Sequence, residues 1–258
     1  MPRFGLGVYQ STGKSGMAAI KHALSVGYRH IDTAALYSNE AEVGQAVREC
    51  GIARDQVFVT TKLWNADQGY DSTLKAGALS LKKLGLDKID LYLIHWPEPG
   101  KRRDSWRALI ELRERGVTRS IGVSNYTVAH LKELLAQSKV KPSVNQVEFN
   151  PFLYQRDLLS FCNDHGIALV AYCPLARAQK LKDARLRKIA ESCRKTPAQV
   201  MLRWGLQRGV GVIPKSVHPQ RIEENAALFD FTISDADMKS LDALNEGLRT
   251  SWDPSNVR

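Results

Sequence analysis

Short hydrophobic stretches recur along the chain, each ending near a polar or ionisable residue and followed by a longer amphipathic stretch. Eight of them read as strands, over residues 4–8, 28–33, 57–63, 90–95, 120–124, 144–148, 168–172 and 211–215. Between them, apolar residues recur at helical spacing over 17–25, 40–50, 74–84, 106–115, 128–136 and 158–165. Two helices, 185–193 and 197–207, follow the seventh strand, one starting at Gln220 follows the eighth, and a last one spans 235–245. Capping residue types mark several starts: Asn39 before Glu40, Asp71 with Ser72, Thr196 with Pro197 at the first helical position, and Ser234. Strands alternating with helices predict a parallel sheet. Eight such units in 258 residues predict an α/β fold, a single-domain (β/α)8 TIM barrel over 1–258. No linker, repeat or shift in composition divides it.

Composition narrows the class without naming a function. The 43% hydrophobic and 25% charged content is that of a globular protein. The apolar runs are strand-sized, so no membrane span is expected, and MPRFGLGVYQ does not read as a signal peptide. Cys50, Cys162, Cys173 and Cys193 form no C-x-x-C pair and no metal-type spacing, so reduced thiols, a cytoplasmic setting and no metal are expected. The net charge of +10 suits a solvated basic face or a multiply anionic small ligand. Its Lys and Arg are dispersed, with short clusters at 101–103, 139–141 and 185–188 and no aromatic-interleaved stripe, so nucleic acid is not the expected partner.

Chemistry concentrates at the C-terminal ends of strands, the face that carries reactions in barrels. Asp32 and Tyr37 lie in GYRHIDTAALYSNE, Lys62 ends VFVTTK, and His95 ends DLYLIH. Singly, Asp32 reads as a cap, Tyr37 as a rim aromatic and His95 as a structural histidine. Together they suit protonation of a carbonyl oxygen. A buried lysine needs a carboxylate partner, and Asp32 is the candidate. The cation would lower the phenol pKa of Tyr37, and His95 would donate to a substrate oxygen.

A second group is Ser124 and Asn125 in GVSNY, Gln146 in VNQVEFNP, and Tyr172 at the end of strand seven. Their side chains can bind a carboxamide and stack on a ring, though Gln146 equally suits strand-end hydrogen bonding. A third is IPKSVHPQRIEEN, where Lys215, Ser216 and Arg221 surround the end of strand eight, a common phosphate position in barrels. No G-x-G-x-x-G follows a strand, so a Rossmann site is unsupported.

With these stretches in family order, the chain resembles the aldo-keto reductases along nearly its whole length, specifically their small-loop members. The resemblance rests on GYRHIDTAALYSNEAEVG (27–44), IGVSNY (121–126) and IPKSVHPQRIEENAAL (213–228), with LIHWP and NQVEFNP between them. It implies a barrel that binds NADPH in extended form and reduces small carbonyl substrates, with Tyr37 as general acid, Lys62 and Asp32 lowering its pKa, and His95 orienting the carbonyl. It implies that Ser124, Asn125 and Gln146 hold the nicotinamide amide and that Tyr172 stacks beneath the ring. Leu175 would touch the cofactor, Lys215, Ser216 and Arg221 would grip the 2′-phosphate, and Glu224 and Asn225 would lie near adenine. Val8, Trp64, Asn65 and Trp96 would line the substrate pocket. It also implies a monomer without a membrane partner.

The chain departs from the family pattern in three places. Only three residues precede strand one, where members carry a closing hairpin, and YCPLARAQK stands where relatives have a serine and a glycine-rich turn. The short loop 96–104 and the short tail 245–258 imply an open pocket for small, varied carbonyls. Two other readings stay open: a cofactor-binding subunit of a membrane channel with little turnover, and an aldolase-type barrel using Lys62 as a Schiff-base nucleophile.

Overall fold

The computed structural model describes residues 1–257. Eight strands, β1 (Leu6–Gly7), β2 (His30–Asp32), β3 (Phe58–Leu63), β4 (Ile89–Ile94), β5 (Thr118–Ser124), β6 (Val144–Glu148), β7 (Ala168–Tyr172) and β8 (Gly211–Val212), form one sheet in chain order. Every neighbouring pair is parallel. The sheet closes on itself through bridges from Phe4 to Val212 and from Gly7 to Lys215. The fold is the expected (β/α)8 barrel. Closure needs glycine at position 7, because a Cβ there would stand 2.9 Å from the Ile213 carbonyl oxygen.

Ten α-helices surround it among the described residues: α1 (Gly13–Ser25), α2 (Glu40–Glu49), α3 (Tyr70–Leu84), α4 (Arg102–Glu114), α5 (Val128–Gln137), α6 (Arg156–Asp164), α7 (Ala184–Ser192), α8 (Pro197–Gln207), α9 (Pro219–Ala226) and α10 (Asp235–Asp242). None is long and apolar enough to cross a membrane. The four cysteines are unpaired.

Alternation along the strands sorts residues to two faces. Leu91, Leu93, Val144, Val170 and Ile213 form a small apolar cluster of their own. Their odd-numbered or even-numbered partners, such as Ile31, Val59, Tyr92 and Ile94, join the large core that includes helix residues Ile20, Val43 and Leu109. In register, Lys62 lies opposite Leu93, Gln146 opposite Val170, and Asp32 opposite Thr60, itself opposite Leu91. The barrel interior is therefore apolar in its lower layers and ionisable near its top.

Several helices start earlier than the apolar spacing indicates: α1 at Gly13 rather than residue 17, α3 at Tyr70 rather than 74, and α4 at Arg102 rather than 106. Their first turns are largely polar and exposed, so periodicity marks where a helix meets the barrel and not where it begins. Strands one, two and eight are shorter than expected. Pro214 has no N–H to donate, and its carbonyl accepts from Gly7 N–H at 3.0 Å, so pairing there ends in an isolated bridge.

The caps divide. Thr196 forms a capping box with Gln199, and Ser234 accepts from Asp237 N–H. Asp71 lies inside the first turn of α3, with Gly69 at the cap position. Asn39 makes no cap. Fully buried, it accepts from the Thr33 hydroxyl and donates to the carbonyls of Val8 and Ser11, tying the loop after β1 to the end of β2.

Candidate active site

The strand ends deliver the expected side chains to one mouth of the barrel. Asp32 closes β2, Lys62 is the penultimate residue of β3, His95 follows β4, Ser124 closes β5, Gln146 sits in β6 and Tyr172 closes β7. Tyr37 stands on the 3-10 turn Ala35–Tyr37, two residues before buried Asn39. Lys215 and Ser216 follow β8, while Arg221, Glu224 and Asn225 lie on α9.

The buried charge is paired. Lys62 Nζ donates to Asp32 Oδ1 at 2.5 Å and to the Thr33 carbonyl at 2.8 Å, and the side chains are 1% and 2% exposed. The second carboxylate oxygen of Asp32 accepts from Gln146 Nε2 at 2.6 Å. Burial pulls the Lys62 ammonium below the usual lysine range, and Asp32 opposes that shift. Its Nζ stands 5.1 Å from the centre of the Tyr37 ring. The pKa of Tyr37 departs from the expectation: burial first, then the Asp32 carboxylate, hold the phenol well above its ordinary value. Desolvation outweighs the neighbouring cation, whose own charge is shared with Asp32.

The His95 ring meets Tyr37 edge-on at 5.7 Å and Trp64 at 5.4 Å. Burial, then Lys62, push the imidazole well below the usual histidine value, so it is neutral at neutral pH. Its Nδ1 is buried without a hydrogen-bond partner.

The amide-type groups hold one another. Ser124 Oγ donates to the Gln146 carbonyl at 2.8 Å, Asn125 Nδ2 donates to the His95 carbonyl at 3.0 Å, and the Tyr172 hydroxyl donates to Asn125 Oδ1 at 2.7 Å. At the β8 side, Lys215 and Arg221 join no ion pair among the described residues. Ser216 Oγ accepts from His218 N–H, and the Glu224 carboxylate accepts from Thr196.

One cavity of about 810 Å³ connects these groups. Its wall includes Val8, Asp32, Tyr37, Trp64, His95, Trp96, Ser124, Asn125, Gln146, Tyr172, Leu175, Lys215, Ser216, Arg221, Glu224 and Asn225. Two expected residues lie off it. Lys62 stands behind Asp32 and Tyr37, and Asn65 turns to Glu98, donating Nδ2 at 2.6 Å.

Other lining residues were not expected. Tyr9 packs edge-on against Tyr37 at 5.0 Å. Trp252, from the short tail, reaches Trp96 at 5.8 Å and Trp64 at 6.2 Å, so the tail roofs the pocket that its length suggested would stay open. Trp252 is 59% exposed, and a lone tryptophan in a polar tail is the one sequence signal that could have marked it. The segment after β7, with Cys173, Arg177 and Ala178 on the wall, runs through left-handed backbone at Cys173, Ala176, Arg177 and Ala178, a conformation costly without glycine.

Comparison with known proteins places this geometry. The family model described as "Aldo/keto reductase family" matches residues 3–246. The "Glyoxal reductase" of Bacillus subtilis (strain 168) is 50% identical, with 100% of this chain and 94% of that protein covered. The crystal structure of MGS-M4, an aldo-keto reductase from a Medee basin deep-sea metagenome library, superposes with a TM-score of 0.97 at 45% identity, covering 100% and 96% of the two chains. A Bombyx mori aldo-keto reductase in complex with NADP superposes at 0.90 with 37% identity, covering 96% and 91%. The chain belongs to the aldo/keto reductase family.

Proposed function

We propose that the chain reduces small aldehydes and ketones with NADPH, with Tyr37 as the proton donor. The observation that carries this reading is a single cavity with Tyr37, His95 and Asp32 at one end and the unpaired cations Lys215 and Arg221 at the other. Its volume and donor set fit a phosphorylated dinucleotide. Lys215, Ser216 and Arg221 are suited to a 2′-phosphate, Glu224 and Asn225 to adenine, and Ser124, Asn125 and Gln146 to a carboxamide beside the Tyr172 ring. Leu175 supplies an apolar wall between the two ends. When bound, the reduced nicotinamide supplies a hydride to the carbonyl carbon.

The chain's own residues do the rest. Tyr37, kept protonated by burial, gives its proton to the carbonyl oxygen as negative charge grows there. The paired Lys62 and Asp32 behind the ring stabilise the phenolate left behind and relay the electrostatics of the buried interior. Neutral His95 donates an imidazole N–H to the same oxygen and fixes its direction. Trp64, Trp96, Val8 and Trp252 exclude water and seat the substrate. A Schiff base at Lys62 is disfavoured by its 1% exposure and its two acceptors.

The test is NADPH oxidation with glyoxal, methylglyoxal and benzaldehyde, repeated with NADH and with Tyr37→Phe. Turnover that needs Tyr37 and prefers NADPH supports the reading. Full turnover in Tyr37→Phe removes Tyr37 as the acid, and tight NADPH binding with no turnover on any carbonyl favours a binding subunit.

A further inference from the structure

We propose that Arg177 forms a carboxylate subsite beside Tyr37, so that this enzyme prefers 2-oxo acids and other short carbonyl compounds that carry a carboxylate. The inference rests on the reductase reading above and names its substrate class.

Arg177 is exposed at the cavity wall and belongs to no ion pair among the described residues. Its side chain bonds the Cys173 thiol, and after Cys173 the groups that act on its charge are Glu148 and Tyr9. Glu148 is already committed: Oε1 accepts from Thr250 N–H and hydroxyl, and Oε2 accepts from Ser251 N–H. Its carboxylate is thus spent on the tail that carries Trp252, and the guanidinium is left without a carboxylate of its own.

The position of Arg177 along the cavity decides what it would bind. Tyr9 lies against the Tyr37 ring at 5.0 Å, and Tyr37 lies against His95 at 5.7 Å. The two groups that reach Arg177, Cys173 and Tyr9, also act on Tyr37. The guanidinium therefore belongs to the reacting end of the cavity, whereas Lys215 and Arg221 belong to β8 and α9. The backbone holds it there at a cost. Ala176, Arg177 and Ala178 take φ of 47°, 49° and 65°, three successive left-handed residues without a glycine. The turn is held by Ala176 N–H to the Cys173 carbonyl at 3.0 Å and Ala178 N–H to the Leu175 carbonyl at 2.8 Å. Strain of this kind concentrates where a side chain must be aimed.

A planar guanidinium fork matches a carboxylate through two parallel charge-assisted hydrogen bonds, and a neutral aldehyde gains nothing from it. The overall change stays the one described above. The carbonyl carbon gains the hydride, the carbonyl oxygen gains the Tyr37 proton, which solvent replaces, and the carboxylate leaves unaltered.

The experiment compares charged and neutral partners of like shape: glyoxylate with glyoxal, and 4-carboxybenzaldehyde with 4-methylbenzaldehyde. Each is assayed with the wild-type chain, Arg177→Gln and Arg177→Lys, and NADPH affinity is measured separately by tryptophan fluorescence. The wild type should favour the carboxylates. Arg177→Gln should lose about tenfold or more in kcat/KM on them, chiefly through KM, with neutral aldehydes and NADPH affinity changed by less than about twofold. Arg177→Lys, which keeps the charge without the fork, should fall between. Equal losses on both substrate classes with weakened NADPH binding would assign Arg177 to the cofactor pyrophosphate and overturn the inference, as would no change on either class. A wild type that reduces neutral aldehydes without favouring carboxylates overturns this inference alone. A wild type inert toward all of them removes the reductase reading and this inference with it.

Discussion

Gln146 on β6 donates Nε2 to Oδ2 of Asp32 on β2 at 2.6 Å, across the interior of the barrel. Lys62 takes the other oxygen of the same carboxylate. Asp32 therefore joins a buried cation to a side chain that also lines the cavity, and its charge is satisfied from both sides. Removing one partner of a buried pair costs more than removing both, because the survivor stays charged and dry. Asp32→Asn should lower unfolding free energy by about 3 kcal/mol, near the lower end for such a break because the amide oxygen can still accept. Asp32→Asn with Lys62→Met should regain at least about half of that loss while remaining inactive. Urea unfolding of the two variants checks the order. A double variant less stable than the single one would mean that the pair is not the unit.

Tyr37 and His95 are pushed in opposite directions, the phenol upward and the imidazole downward. Both are neutral across the window between their ordinary values, about 6.5 and about 10. With a neutral aldehyde, kcat/KM should show no inflection from these two groups inside that window. Tyr37→Phe should reduce kcat by about a hundredfold to ten-thousandfold while NADPH binding, followed by fluorescence, holds. An inflection near pH 7 that vanishes in His95→Gln would show that His95 titrates.

These groups were legible because strand alternation is a local property. Asp32, Lys62 and Gln146 each occupy an inward position near a strand end, and that placement follows from a period of two once the strands are found. The direction of the Tyr37 shift was not legible, since proximity to a lysine can be guessed from spacing but the depth of burial cannot. Asn39 stood where caps stand, yet its amide spans Val8, Ser11 and Thr33, which lie together only after β1 pairs with β2. Tyr9 and Trp252 escaped for a related reason. One follows the first strand, the other ends the chain, and only closure of the barrel brings both to the same mouth.

Trp252 touches the pocket through ring contacts with Trp64 and Trp96 and is otherwise largely exposed. Its loss should therefore be felt in substrate binding and not in folding. Aromatic pairs of this kind contribute about 0.5–1.5 kcal/mol each beyond area burial. Trp252→Ala should raise KM for aromatic aldehydes by about tenfold, leave kcat within about threefold, and leave the urea midpoint unchanged. Steady-state kinetics on benzaldehyde against glyoxal separate the effects, since the smaller substrate should lose less. A large fall in stability would instead make the tail a structural strap.

His30 gives the protein a built-in acid sensitivity. Its ring is 2% exposed, bonded through Nε2 to the Thr60 hydroxyl at 2.9 Å and packed edge-on against Phe58 at 5.3 Å. Gly5 fits against it so closely that a Cβ there would stand 2.8 Å from the ring. Burial is the main force lowering its pKa to about 4. Asp32 opposes that shift, and Lys62 and the N-terminus add to it. An unfolded histidine takes up its proton near pH 6.5, before the folded one does, so the unfolded state gains as pH falls. Stability is full above about 6.5 and declines through the window down to about 4. For this group alone the loss between pH 7.5 and pH 5 is about 2 kcal/mol. His95 and His130, also held low by burial, add to the total in the same direction. His30→Asn keeps a side-chain hydrogen bond and removes the titration. It should be less stable than the wild type at pH 7.5, yet lose about 2 kcal/mol less on going to pH 5. Urea unfolding of both chains at the two pH values reads the difference directly, and parallel losses would mean that His30 is already charged in the folded protein.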